Sequence, residues 1–173
     1  MTIEIRQGNL FNHYSHKVDA SIIDDIETKP CIGHGVNSFG AMGAGIAVEF
    51  KKRFPEMYAE YNKRCKNGLI FPGLTWAWKE DTGLYMNKNE VLAEDHFWIY
   101  NLTVKAHWKM PATYDAVEAS LKNMAIHMNE NNLIEVALPW IGCGLGGLSK
   151  IKVKSLMEKI AEQYKIKIIV YEQ

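Results

Sequence analysis

Twice in this sequence a short apolar run passes through a glycine-rich stretch into an amphipathic helical pattern. The first junction, HGVNSFGAMGAGIAVEF, runs from His34 to Phe50 and crowds Gly40, Gly43 and Gly45 together. The second, ALPWIGCGLGGLSK, runs from Ala137 to Lys150 with Gly142, Gly144, Gly146 and Gly147. Glycine loses more backbone freedom on folding than any other residue, so such clusters need a reason. A strand that hands over to a helix through a loop is the building unit of an α/β sheet. In an open sheet of that kind, ligands bind beyond the carboxyl ends of the strands. Glycines there let backbone N–H groups approach a phosphate, and the following helix N-terminus adds about 0.3–1 kcal/mol, up to about 2 when partly buried. The plainer reading of one such loop is a tight turn. Two at equivalent junctions weaken that reading and suit a pyrophosphate held from both sides.

The rest of the chain agrees with this class. Ile3 to Arg6 alternates as a strand, Val18 to Ile23 is a second apolar run, and Cys31 to Val36 is a third. Asp24 to Pro30 is acidic, ends in proline and reads as an exposed loop. Ile46, Ala47, Phe50 and Phe54 recur at helical spacing within Ala44 to Phe54. Pro55 restarts a helix that ends at Asn67-Gly68. LTWAWK and FWIYNL read as strands. Thr113 caps a helix through Val117, Leu121, Met124 and Met128 that stops at Asn131 and Asn132. IEVALPW is a buried strand, Ser149 opens a last helix, and IKIIVYE is a final strand. This predicts an α/β fold with about six strands, a mixed and mostly parallel sheet covered on both faces, in one domain over residues 1–173.

Composition narrows the function classes. Twenty basic and 20 acidic residues give zero formal charge, which argues against a bulk nucleic-acid or polybasic membrane binder. Cys31, Cys65 and Cys143 fit no zinc spacing and read as free thiols. His13, His16, His96 and His127 show no ligand pattern, so no metal is expected. No apolar run reaches membrane-span length and the start is not a signal peptide, so a soluble cytoplasmic protein is expected. Gly142, Gly144 and Gly147 satisfy G-x-G-x-x-G, but only one helix and one strand follow in the sequence, too little for a dinucleotide fold. Neither loop ends in Gly-Lys-Ser/Thr, which excludes a Walker loop.

QGNLF after the first strand, HGVNSFGAMGAGIA with FKKRFP, IYNLTVKAHWK and ALPWIGCGLGGL together resemble the macrodomain, an ADP-ribose-binding α/β/α module. The resemblance covers nearly the whole chain. It is strongest to the branch that holds the terminal ADP-ribose protein glycohydrolase and the antitoxin that removes ADP-ribose from DNA bases. Short stand-alone bacterial and phage proteins of this kind are often called ADP-ribose-1''-phosphate phosphatases. The resemblance implies that Asn9, beside Leu10, meets the adenine. Gly43, Ala44, Gly45 and Ile46 would form the first phosphate loop, and Gly142, Cys143, Gly144, Leu145 and Gly146 the second. Asn37 would hold the distal ribose, and Lys105 matches the antitoxin-type catalytic lysine. Gly146 stands where the protein glycohydrolase has an aspartate, which favours the antitoxin comparison.

The implied activity is removal of a group from the distal ribose of ADP-ribose, with no cofactor and no obligate protein partner. The group is a nucleobase, an acidic side chain or a 1''-phosphate, and the substrate is ADP-ribosylated DNA or protein or the free nucleotide. A charged lysine can stabilise a leaving atom, and a deprotonated one can attack an opened sugar as a Schiff base. The competing reading is a module that reads or sequesters ADP-ribose-type nucleotides without turnover. Without the motif, Lys105 reads as a solvated surface lysine. His107 beside Trp108 and His34 in a buried strand read as structural. Cys143, taken to lie at a helix N-terminus where a thiol can acidify, reads as a small loop residue rather than a nucleophile.

Overall fold

The computed structural model describes residues 2–13, 31–86 and 92–173. Within them, six strands form one sheet in the order β1-β6-β5-β2-β4-β3. The strands are β1 (Ile3–Gln7), β2 (Cys31–Asn37), β3 (Thr75–Met86), β4 (Leu92–Lys105), β5 (Glu135–Leu138) and β6 (Lys167–Glu172). Every neighbouring pair is parallel except β3 with β4. Helices α1 (Ile46–Arg53), α2 (Pro55–Lys66), α3 (Tyr114–Glu130) and α4 (Lys150–Tyr164) flank the sheet, and residues 10–13 form a helical turn after β1.

Successive strand residues point to opposite faces, and the sheet uses both. Val136 and Leu138 of β5 join a core with Val117 and Leu121 of α3 and Val153 and Met157 of α4. Ala137 between them joins a second core with Phe50 of α1 and Met57 and Tyr61 of α2. The result is the expected three-layer α/β/α arrangement.

Local chemistry explains the helix ends. Thr113 Oγ1 accepts from Ala116 N–H at 3.1 Å, a side-chain cap. Pro55 occupies the first turn of α2, where its missing N–H costs nothing. α1 begins at Ile46, two residues later than its apolar pattern, because Gly45 takes a left-handed φ of 61°. The two strand patterns LTWAWK and FWIYNL prove to be parts of a much longer antiparallel hairpin, 12 and 14 residues. IEVALPW shortens to Glu135–Leu138, since Pro139 and Trp140 already belong to the loop. The apolar run Val18 to Ile23 and the acidic loop Asp24 to Pro30 lie outside the described residues.

His34 lies wholly inside, as its apolar neighbours implied. It pairs in register with Asn101 across β2 and β4, and its Nε2 lies 2.7 Å from Asn101 Oδ1. Its ring stacks on Phe50 at 3.7 Å. Burial pushes its pKa down to about 4, so the ring is neutral in the folded protein near neutral pH.

Candidate functional site

The carboxyl ends of β2, β4 and β5 open on a cleft of about 520 Å³. Asn37 ends β2, Lys105 ends β4, and Pro139 follows β5. Gly43, Ala44, Gly45 and Ile46 form one wall, and Gly142, Gly144, Leu145 and Gly146 face them from the other loop. A second hollow of about 340 Å³ adjoins it. Gly45, Ile46, Pro139 and Trp140 border both, so the two form one elongated groove. Asn9 and Leu10 lie at the far end of that groove with Tyr171 and Lys150. The structure thus gathers the sequence-predicted residues along one groove, with one exception described below.

Backbone donors line the cleft. Among the described residues, the N–H groups of Gly43, Ala44, Gly45 and Ile46 give no hydrogen bond to another backbone carbonyl, nor do those of Gly144, Leu145 and Gly146. The second loop is closed on itself by Leu148 N–H to Gly142 O at 3.0 Å and Ala112 N–H to Gly146 O at 3.0 Å. Fixed donors of this kind suit an anion. The glycines divide into two kinds. A Cβ on Gly43, Gly45 or Gly144 would meet nothing within 4 Å, whereas one on Gly146 would lie 2.5 Å from Gly142 O and 2.9 Å from Ala112 Cβ. Gly146 is therefore demanded by the loop itself, and no aspartate fits there in this backbone.

Among the described residues, the cleft wall carries no acidic side chain, and Lys105 is its one ionisable group. Lys105 is half-buried, and its Nζ donates to the Trp108 carbonyl at 3.3 Å, so the turn after β4 fixes where the nitrogen sits. Beyond it lies an exposed aromatic cluster. Trp108 is 51% and Phe39 57% exposed. The His107 ring stands 4.5 Å from Phe39 and 5.4 Å from Trp108, and Lys109 Nζ lies 5.0 Å over the Trp108 ring. The loop after β2 and the turn after β4 are joined by Ser38 N–H to Lys105 O and Ser38 Oγ to Ala106 O, each 3.0 Å.

Asn37 is only 6% exposed, and most of its amide is occupied. Its Oδ1 accepts from the N–H groups of Phe39, Gly40 and Ala41 at 3.1, 3.1 and 3.3 Å. Its Nδ2 donates to Ala41 O at 3.0 Å. Asn9 is similar: Oδ1 accepts from Phe11 N–H at 2.9 Å and caps the helical turn of residues 10–13, so its NH2 is what it can present. The Leu10 side chain is buried in the core, which limits it to shaping the groove floor.

Cys143 departs from its expected place. It is the one member of the predicted second loop that does not line the cleft, and its Sγ turns toward Ile141 O at 3.5 Å. It packs on the α3–α4 core. α4 starts only at Lys150, so no helix N-terminus acidifies the thiol. Burial instead raises its pKa, with Lys150 opposing weakly.

Sequence reasoning passed over Trp140 and Tyr61. Trp140 borders both hollows, and its Nε1 donates to Glu172 Oε1 at 2.6 Å while Gln7 Nε2 donates to Glu172 Oε2 at 2.8 Å. Tyr61 reaches Asn37 from α2. Among the described residues, no cluster of three or more His, Cys, Asp or Glu could hold a metal, and no helix is long and apolar enough to cross a membrane.

Comparison with known proteins agrees with this geometry. The family model "Macro domain" matches residues 34–157. The chain is 33% identical over 138 residues to a DNA ADP-ribosyl glycohydrolase from Thermus aquaticus, covering 79% of this chain and 36% of that relative. It thus spans about a third of that relative's length. It is 31% identical over 140 residues to an ADP-ribose glycohydrolase from Homo sapiens, covering 81% of this chain and 80% of that protein. The solved macrodomain of Mycobacterium tuberculosis DarG superposes with a TM-score of 0.76 at 28% identity, covering 99% of this chain and 97% of that one. With a family model over most of its length and a matching fold, the chain belongs to the macro domain family.

Proposed function

We propose that residues 1–173 act as one macro domain that binds ADP-ribose along the groove and hydrolyses a bond at the distal anomeric carbon. The observation that carries this reading is that, among the described residues, Lys105 alone is ionisable on a cleft otherwise walled by glycine loops with open N–H donors. The diphosphate fits between the loops, the adenosine lies toward Asn9, and the distal ribose lies toward Asn37 and Lys105. Both named relatives are glycohydrolases of ADP-ribose-type bonds, which supports the same chemistry.

The reaction needs little from the protein. The bond between the anomeric carbon and its substituent breaks with the electron pair leaving on the substituent's oxygen or nitrogen. Lys105 gives that atom a proton, water adds its oxygen to the carbon, and the water's surplus proton returns to the lysine. The loop N–H groups and helix α1 hold the diphosphate charge meanwhile. Gly146 leaves no room for an assisting carboxylate in the second loop.

Among possible substituents, the rings of Phe39 and Trp108 beside Lys105 favour a nucleobase, because flat aromatic faces with a flanking cation stack on bases. An acidic side chain or a 1''-phosphate would leave those rings uncovered. The work would then be done on cytoplasmic nucleic acid. A binder without turnover is the alternative, and one experiment separates them. Catalytic amounts of protein are incubated with ADP-ribosylated single-stranded DNA, ADP-ribosylated protein and ADP-ribose-1''-phosphate. Release of the group from DNA is expected. Lys105→Ala is expected to keep ADP-ribose affinity and to lower turnover at least ~100-fold, the low end for a proton-transferring group. No turnover on any of the three, with intact ADP-ribose binding, would leave the binding module.

A further inference from the structure

One face of helix α2 is polar where a helix in this position should be apolar. Tyr58, Tyr61, Asn62 and Cys65 recur at the i, i+3, i+4, i+7 spacing of a single face. That face is turned to the first glycine loop. Tyr61 is fully buried, and its hydroxyl donates to Asn37 O at 2.5 Å and also lies 3.2 Å from Asn37 Oδ1. Asn62 Nδ2 donates to Gly40 O at 3.0 Å, Tyr58 Oη reaches the same oxygen at 3.5 Å, and Cys65 Sγ stands 4.0 Å from Asn37 O. The helix therefore grips the segment of loop that follows Asn37.

The grip fixes more than a backbone. An asparagine amide can turn over, exchanging acceptor for donor. Here three loop N–H groups converge on Oδ1, and the Tyr61 hydroxyl, whose one hydrogen goes to Asn37 O, stands 3.2 Å from it. A turned amide would set its NH2 against those three N–H donors. Burial holds the Tyr61 pKa far above its ordinary value, so its hydroxyl keeps the proton it donates. Of the two hydrogens on Nδ2, one goes to Ala41 O. The second is the one polar hydrogen this side chain can offer the cleft that Asn37 borders.

We propose that Tyr61 is a positioning residue: by holding the Asn37 carbonyl it keeps the amide oxygen seated on the three loop N–H groups, so that Asn37 meets the ligand as a hydrogen-bond donor and never as an acceptor. The site then selects lone pairs at that point: a ribose hydroxyl oxygen, the ring oxygen or the leaving atom. This rests on the reading of the cleft as an ADP-ribose hydrolase site.

Asn37→Asp, Tyr61→Phe and the double variant test it, through melting temperature and separate kcat and KM values. A carboxylate accepts from the same three N–H donors but has no hydrogen to give. Asn37→Asp sets a carboxylate oxygen against Ala41 O, where Nδ2 donates at 3.0 Å, so it should melt below the parent temperature. Assayed well below that melting point, it should lose at least ~100-fold in kcat/KM, as when a single fixed donor is removed. Tyr61→Phe should lower kcat about tenfold with KM within about twofold, and should do nothing further to kcat in the Asn37→Asp background. A Tyr61→Phe effect that is the same in both backgrounds, or an Asn37→Asp protein as active as the parent, would overturn the lock. If the parent turns over no substrate, the proposed function fails separately. The lock is then read in the ligand-free protein by NMR, as the exchange of the Asn37 side-chain NH2. Slow exchange that Tyr61→Phe accelerates supports it, and exchange unchanged by Tyr61→Phe overturns it.

Discussion

Gly144 and Gly146 sit two residues apart in one loop, and the account predicts opposite phenotypes for them. A side chain on Gly144 would project into space that holds no protein atom within 4 Å, on the cleft wall. Gly144→Val should therefore fold normally, with a melting temperature within about 2 °C of the parent, since surface changes away from packed features stay near 0.5 kcal/mol. It should also shield the donors of Gly144 and Leu145. Hydrogen bonds to a charged group contribute about 1.5–3 kcal/mol each, so two lost donors cost about 3–6 kcal/mol and weaken Kd between about 100-fold and 10,000-fold. Gly146→Ala places its Cβ 2.5 Å from Gly142 O. Forced overpacking costs about 1–3 kcal/mol, which in a chain of this size lowers the melting temperature by about 2–12 °C. Calorimetric titration with ADP-ribose and thermal melts of both variants give the answer. If Gly144→Val binds as tightly as the parent, the loop N–H groups do not hold the ligand. If Gly146→Ala melts like the parent, the close approach of loop backbone is not what requires glycine there.

Two further outcomes test the frame around the site. His34 has a folded pKa of about 4 against an ordinary 6.5, so between these values the unfolded chain binds the extra proton. Stability should fall as pH drops from 6.5 to 4, by about 3 kcal/mol in all. Urea midpoints across that range should lose this slope in His34→Gln, and an unchanged slope would assign it to other groups. Thr113→Ala removes the Oγ1 cap of α3 and should cost about 1 kcal/mol in denaturant unfolding, with ADP-ribose affinity untouched. A loss of affinity there would tie α3 to the site.

The parts of the fold that were legible in the sequence are those fixed by local chemistry. Thr113, Pro55 and the Asn131-Asn132 stop act on their own helices, so their signals do not depend on distant contacts. The buried strand β6 carries an unbroken apolar run, Ile168 to Val170, and β2 is apolar or glycine from Cys31 to Val36 but for His34, because both faces are covered. The β3–β4 hairpin was only half visible. Its outer part, Lys79 to Met86 against Leu92 to Trp98, mixes Glu80, Asp81 and Gly83 with apolar residues, so neither strand period nor helix period stands out.

The candidate site divides in the same way. Its glycine loops are contiguous in sequence and visible as such. The turn of Cys143 toward the core depends on α3 and α4 packing behind the loop, which spacing does not reveal. The Tyr61 contact to Asn37 spans 24 residues and joins different elements. Its trace in the sequence is the polar stripe Tyr58, Tyr61, Asn62, Cys65, placed where α2 would otherwise be apolar.

Uptake of free ADP-ribose by the intact, unsubstituted protein, followed by titration calorimetry, bears on the central claim before any question of turnover arises. Saturable one-to-one binding is predicted, abolished or weakened at least ~100-fold in Gly144→Val. A flat titration up to about 1 mM ligand, a threshold that only about 4 kcal/mol of binding would cross, would contradict it.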